Sequence, residues 1–197
     1  MEKETKEIIK LTVYEILKAL GEGVAIFAVS FEKDWKKKRE FENWLVERKS
    51  DRSEFSRKIY YLKQKGYIRR LYEGKEVYTE LTKKGKKRFT QVQMEHMEVP
   101  RPKKWDKKWR IIIFDIPEKK KEIRNAIRRK LYQIGFVQVQ KSVFIHPFEC
   151  TAEVNLICNY FGGRKYLKYM IAEILEGEES VVEEFIDKGV LLLTDLE

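Results

Sequence analysis

The chain has 197 residues, of which 43% are hydrophobic and 38% charged, and it carries a net charge of +10. That is room for one large domain or two small ones with packed cores under a densely charged surface. No window reaches the ~18 apolar residues of a membrane span, Met1-Glu2-Lys3-Glu4 lacks the apolar core of an export signal, and Cys150 and Cys158 with His96 and His146 do not make a four-ligand zinc site, so a reduced, cytoplasmic setting without membrane contact is expected.

The first helix is predicted over 5–20, where Ile8, Ile9, Val13, Ile16, Leu17 and Leu20 recur at three and four. Gly21-Glu22-Gly23 stops it. Val24 to Phe31 is a short apolar run that reads as a strand or an irregular core segment, and helical periodicity resumes over 36–49 through Phe41, Trp44 and Leu45. Ser50-Asp51-Arg52-Ser53-Glu54 then has the short polar caps and early acids of a helix start. In that third helix Phe55, Ile59 and Leu62 share one face, while Arg52, Ser56, Arg57, Tyr60, Lys63 and Gln64 project away from it. Gly66 ends it. Two alternating segments, 67–72 and 77–81, flank Glu73-Gly74-Lys75 as a hairpin, and Thr82 caps a further helix over 83–89.

Three helices followed by a glycine-turned hairpin make a winged helix-turn-helix. A helix fits the major groove, its polar side chains reach base edges, and a hairpin carries cations to phosphates. Arg52, Ser53, Ser56, Arg57, Tyr60 and Lys63 are the residues expected to face double-stranded DNA, with Arg69, Arg70 and Lys75 as the cations of the wing. The run Lys83 to Arg88 reads either as phosphate contact, with release of counterions, or as a solvated helix face. The charge distribution supports a polyanion-facing surface: residues 1–90 hold 24 Lys/Arg against 15 Asp/Glu, residues 101–130 hold 13 against 4, and residues 131–197 hold 5 against 11. Residues 1–95 are expected to form the first domain. The weakly periodic, proline-containing 96–108 are expected as a linker, and 109–197 as a second, dimerising domain.

Trp109 to Pro117 opens that second domain. Ile111, Ile112, Ile113 and Phe114 are the densest β-favouring apolar run in the chain and predict a strand covered on both faces. After Pro117 a helix is expected in which Ile123, Ile127, Leu131 and Ile134 point inward and Lys119, Lys120, Lys121, Arg124, Arg128, Arg129 and Lys130 outward. That outer face reads as a second DNA-contacting surface or as the solvated back of the sheet. Strands over 137–140 and 142–146, a helix from Thr151, a strand over 166–175, a helix over 180–188 and a last short strand over 190–194 follow. The fold class is therefore α+β, with a βαββαβ ferredoxin-like domain behind the winged helix. Trp109 is expected to pack the two domains together.

W-R-I-I-I-F-D-I-P-E from Trp109, the basic helix, Leu131-Tyr132-Gln133-Ile134-Gly135-Phe136, and Gln140 to Pro147 closely resemble the central domain of PaaX-type transcriptional repressors. That domain is itself similar to the small ferredoxin-like nuclease subunit of CRISPR adaptation systems. The resemblance spans about residues 105–175, and the fused winged helix is also the PaaX arrangement. It implies a homodimeric DNA-binding repressor with a small-molecule inducer, an aryl-coenzyme A thioester in the phenylacetate branch. The C-terminal extension of that family is reduced here to 176–197, so the coenzyme A ligand is not expected.

The resemblance also bears on Asp115. In the CRISPR subunits an acid at the end of the first strand is paired across a dimer axis to hold a divalent metal. Two such carboxylates could hold Mg²⁺, which polarises a phosphate and activates water. His146 is the only candidate general base. The plainer role for Asp115 is to cap the following helix. No cofactor is expected for a regulator; Mg²⁺ enters only if the chain is an endonuclease. A third alternative is a non-enzymatic nucleic-acid adaptor.

Overall fold

A computed structural model of the chain describes residues 12–21, 35–47, 50–73, 76–174 and 176–196. The expected segment 24–31 and Lys75 lie outside the described residues. The chain divides into two compact units, residues 1–93 and 94–197.

The first unit contains α1 (Val13–Gly21), α2 (Trp35–Glu47), α3 (Arg52–Gln64), a hairpin of β1 (Ile68–Glu73) and β2 (Glu76–Leu81), and α4 (Lys83–Glu95). Its apolar stripes converge on Ile16, Leu17, Leu45, Phe55, Ile59, Leu62, Ile68 and Leu81. Phe41 and Trp44 of α2 meet the Phe55 ring edge-on, at 4.9 and 6.1 Å between centroids. The turn after α3 is tightly tied. Gly66 takes φ +69°, a left-handed cap that a side chain would strain. The Tyr67 N–H reaches back to the Leu62 carbonyl at 2.9 Å. Thr82 donates its hydroxyl to the Gly66 carbonyl at 2.7 Å, and the same oxygen accepts the Gly85 N–H at 3.0 Å, which caps α4 as expected.

The helix expected over 83–89 runs on to Glu95, and Met94, Met97 and Val99 pack into the core of the second unit. The stretch expected as a linker therefore belongs largely to that unit. It is aperiodic in sequence because its apolar residues follow the contours of a sheet domain and not a repeating element.

The second unit is β3 (Trp109–Phe114), α5 (Lys121–Gln133), β4 (Val137–Gln140), β5 (Val143–His146), α6 (Thr151–Phe161), β6 (Leu167–Ala172) and α7 (Glu178–Asp187). The four strands form one antiparallel sheet in the order β4-β5-β3-β6. This is the split βαββαβ arrangement expected from the sequence. Ile112 pairs with Phe144 on one side and Tyr169 on the other, and this face is buried under α5 and α6 through Ile127, Leu131, Val154 and Ile157. The opposite face is covered at one end only. There Trp109, Ile145 and Val137 pack on Phe185 of α7 and on Leu191, while Ile111, Ile113 and Val143 stay half-buried. The expectation of a strand covered on both faces holds for Trp109 and fails for Ile113.

Trp109 belongs to the core of the second unit. It is fully buried inside the second unit, stacked on Phe185 at 5.5 Å, edge-on to Trp105 at 4.9 Å, with its indole N–H on Glu178 at 2.7 Å. No strand forms over 190–194. Leu191 is buried, and the chain then turns into a short 3₁₀ segment at Leu193–Asp195, where the Asp195 carboxylate accepts the Leu192 N–H at 2.7 Å.

Candidate nucleic-acid interface

Helix α3 is oriented by its own sequence. The Asp51 carboxylate accepts the Glu54 N–H at 2.7 Å and fixes the start. Phe55, Ile59 and Leu62 then face inward. With 3.6 residues per turn, this leaves Ser53, Ser56, Arg57, Tyr60 and Lys63 exposed on the outer face. Tyr60 is 65% exposed, an unusual placement for a large ring. Arg52 is also exposed, but its Nε donates to Glu42 of α2 at 2.6 Å, so its charge is shared with a carboxylate. Arg69 is paired with Glu80 directly across the hairpin, whereas Arg70 is exposed.

Two cations near this face have contacts that their sequence positions do not disclose. The Lys65 ammonium lies 5.7 Å from the Tyr61 ring. Lys84 donates to the Lys65 carbonyl at 2.8 Å and sits 5.2 Å from the Tyr67 ring, so this member of the lysine run of α4 staples the end of α3. Its position in a run of five cations carries no signal that separates it from its neighbours.

In the second unit the cations of α5 are less free than its pattern suggests. Lys130 is buried, with its ammonium on the Met94 carbonyl and, at 3.1 Å, on Gln133. Burial pushes its pKa down. Arg124 pairs with Glu118 at 2.8 Å, and Arg128 donates to Gln138 at 3.0 Å. The outer face expected to carry seven equivalent cations is thus partly neutralised.

Asp115 lies at the exit of β3, exposed. Its backbone N–H donates to the Tyr166 carbonyl at 3.0 Å. The carboxylate caps neither the 3₁₀ turn at Glu118–Lys120 nor α5; the residues before those elements are Pro117 and Lys120, and neither start has a side-chain cap. No group of three metal-ligating side chains occurs among the described residues. His146 is 1% exposed, among Phe136, Phe148 and Phe185. Its Nδ1 accepts the Phe148 N–H at 3.0 Å. Burial, with a smaller push from Arg110, holds its pKa down at about 4 against the opposing pull of the Phe148 carbonyl. A histidine so enclosed is a structural acceptor and is not placed to activate water at Asp115. Burial likewise pushes Cys150 up to about 12 and Cys158 up to about 11, so neither supplies a thiolate nucleophile at neutral pH.

At the other end of the sheet Arg110 is 6% exposed. It holds Asp106 through two bonds of 2.6 and 2.7 Å and the Pro147 carbonyl at 2.9 Å. Its Nε makes no hydrogen bond and lies 3.5 Å from Glu149. Arg110, Trp105, Phe148 and Glu149 line a groove of about 730 Å³.

The second unit, an antiparallel four-stranded sheet backed by α5 and α6 in βαββαβ order, is a ferredoxin-like domain of an α+β protein. Residues 102–182 match the family model of the PaaX protein central Cas2-like domain. The match covers 81 of the 197 residues and includes every strand and helix of the sheet domain up to α7. No curated protein matches the chain. Among the described residues no helix is long and apolar enough to cross a membrane.

Proposed function

We propose that this protein is a cytoplasmic, homodimeric DNA-binding transcriptional regulator of the PaaX type, acting as a repressor, whose first unit reads DNA as a winged helix. The observation that carries the reading is the outer face of α3. Ser53, Ser56, Arg57, Tyr60 and Lys63 form an exposed polar and cationic stripe opposite a buried apolar one, and a hairpin bearing Arg70 follows directly. Hydroxyls, a guanidinium and an ammonium on one helix are the groups that read base edges and hold phosphates. The family of the second unit supports the regulator class.

The open part of the sheet supports self-association. Ile111, Ile113 and Val143 are half-buried there, and Met170, which pairs with Ile111, is 41% exposed. A two-fold contact through this face would present two copies of α3 to a palindromic operator. A small-molecule inducer is part of this reading, with no site among the described residues assigned to it.

Selection of bound duplexes from a random library, run with and without Mg²⁺, tests the reading. A regulator enriches a two-fold related sequence and leaves it intact. Arg57→Ala and Lys63→Ala should each weaken the selected duplex by ~5- to 150-fold, the range for losing one good contact. Unchanged affinity in both variants refutes the assignment of α3. Cleavage that requires Mg²⁺ and disappears in Asp115→Asn would replace the regulator with an endonuclease.

A further inference from the structure

Three loops converge at the end of the sheet where β3 exits. The loop from β3 to α5 carries Lys119 and Lys120, the turn from β4 to β5 carries Lys141, and the loop from α6 to β6 carries Arg164, Lys165 and Tyr166. Backbone bonds hold them together: the Asp115 N–H donates to the Tyr166 carbonyl at 3.0 Å, and the Phe114 N–H to the Ser142 carbonyl at 3.1 Å. Two ammonium groups gather at the Tyr166 side chain, with Lys120 Nζ 5.4 Å and Lys165 Nζ 5.1 Å from the ring centre.

Flexible lysines usually wander, and like charges near each other repel. Here a half-buried aromatic ring gathers two of them from different loops. Lys119, Lys141, Arg164 and Lys165 are exposed, and among the described residues none of these cations is in an ion pair. Of the carboxylates at this end, Glu118 is taken up by Arg124, while Asp115 and Glu122 are exposed. From Glu173 onward, by contrast, the unit is acidic, with α7 carrying Glu178, Glu179, Glu183, Glu184 and Asp187. A domain polarised in this way orients towards a polyanion.

We infer that this loop cluster is a second DNA contact, in which the second unit grips the duplex backbone through Lys120 and Lys165 braced on Tyr166. The groups are point-charge donors at loop tips with no helix or strand that would enter a groove, so the contact is to phosphates and carries no sequence information. It rests on the regulator reading and adds a separate surface to it. Affinity would then come from both units and sequence preference from α3 alone.

The test uses the full chain. Duplex binding is measured from low to moderate salt for the wild type, for Lys120→Gln/Lys165→Gln, and for Arg57→Ala/Lys63→Ala, on a selected and on a random duplex. Losing two phosphate contacts should reduce the slope of log K against log salt by ~1.8 per protomer. Affinity should fall alike on both duplexes, leaving their ratio unchanged. An unchanged slope in the Lys120/Lys165 variant, or a changed ratio between duplexes, overturns the inference while leaving the regulator standing. A reduced slope there, with no effect of Arg57→Ala/Lys63→Ala, overturns the α3 reading and keeps this one. A wild type that binds no duplex overturns both. Loss of heparin retention without loss of duplex affinity would assign the cluster to another polyanion and also overturn the inference. Thermal midpoints of all variants report that each is folded.

Discussion

Acid should loosen the second unit through one residue, His146. In the folded chain its pKa is held down at about 4, against an ordinary value of 6.5, chiefly because the ring is buried. The Phe148 N–H pointing at Nδ1 at 3.0 Å favours the neutral ring independently, since a proton there would face another proton. A folded pKa below the unfolded one means that the unfolded chain binds the extra proton first. Stability from this group is therefore fully present above pH 6.5, is lost as pH falls from 6.5 towards 4, and changes no further below that. At ~1.4 kcal/mol per pH unit the whole loss is ~3 kcal/mol, a large fraction of the stability of a small domain. The assay is urea unfolding at about pH 7, 6, 5 and 4.5 in a Trp35→Phe/Trp44→Phe background, so that emission comes from Trp105 and Trp109 beside the same cluster. His146→Asn keeps an oxygen able to accept the Phe148 N–H and cannot titrate. It should be less stable at about pH 7, because it leaves a cavity among three phenylalanines, yet flat between about pH 6.5 and 5. If wild type and His146→Asn lose stability in parallel over that window, the burial argument for His146 is wrong.

Gly85→Ala should destabilise the first unit although alanine favours helix, because a Cβ there would lie 1.8 Å from the Tyr67 carbonyl oxygen, a backbone atom that cannot swing aside. The overpacking loss of ~1–3 kcal/mol exceeds the ~1 kcal/mol gain in propensity, and a lower thermal midpoint checks it. Asp106→Asn removes the charged bidentate partner of a buried guanidinium, so the second unit should lose ~1–3 kcal/mol in urea unfolding. Asp51→Ala removes the cap of α3 and should cost ~1 kcal/mol by the same measurement.

The sheet domain is legible in the sequence because its signals are local and mutually consistent. Four short apolar runs, two amphipathic helices between them and Gly135 and Gly162-Gly163 as stops leave few other arrangements. Which surface is covered is less legible. Ile113 looks as apolar as Ile112, yet only Ile112 lies under the helices, because alternation says which residues share a face and not whether something packs on it. Trp109 reads as a bridge between domains because its real partners, Glu178 and Phe185, are some seventy residues away. Lys130 reads as exposed for the same reason: its position in the helical repeat is outward, and the Met94 carbonyl that draws it in belongs to a stretch with no periodicity of its own. At the candidate interface, the exposure of Arg57, Tyr60 and Lys63 follows directly from the apolar triplet beneath them. The pairing of Arg52 with Glu42 and of Arg69 with Glu80 does not, since both depend on tertiary placement.

Asp115 shows how the regulator and the nuclease readings depend on assembly. Within one chain its carboxylate has neither a helix to cap nor, among the described residues, a ligating group of three beside it. A lone carboxylate is a poor Mg²⁺ site, because the ion keeps most of its water unless several oxygens are fixed around it. The route to a metal centre at this position is a second copy of the chain that brings its own Asp115 alongside. The enzyme reading therefore requires a dimer whose axis passes near the exit of β3. The regulator requires only a dimer that spaces two α3 helices, wherever its axis runs. Sedimentation of the full chain, followed by cross-linking of an Asp115→Cys variant, separates these cases. A monomer excludes the paired-carboxylate site outright. A dimer of that variant in which the introduced thiols fail to cross-link leaves the duplex-binding reading as the one compatible with the fold, with the loop cluster around Tyr166 free to meet a phosphate backbone instead of a metal.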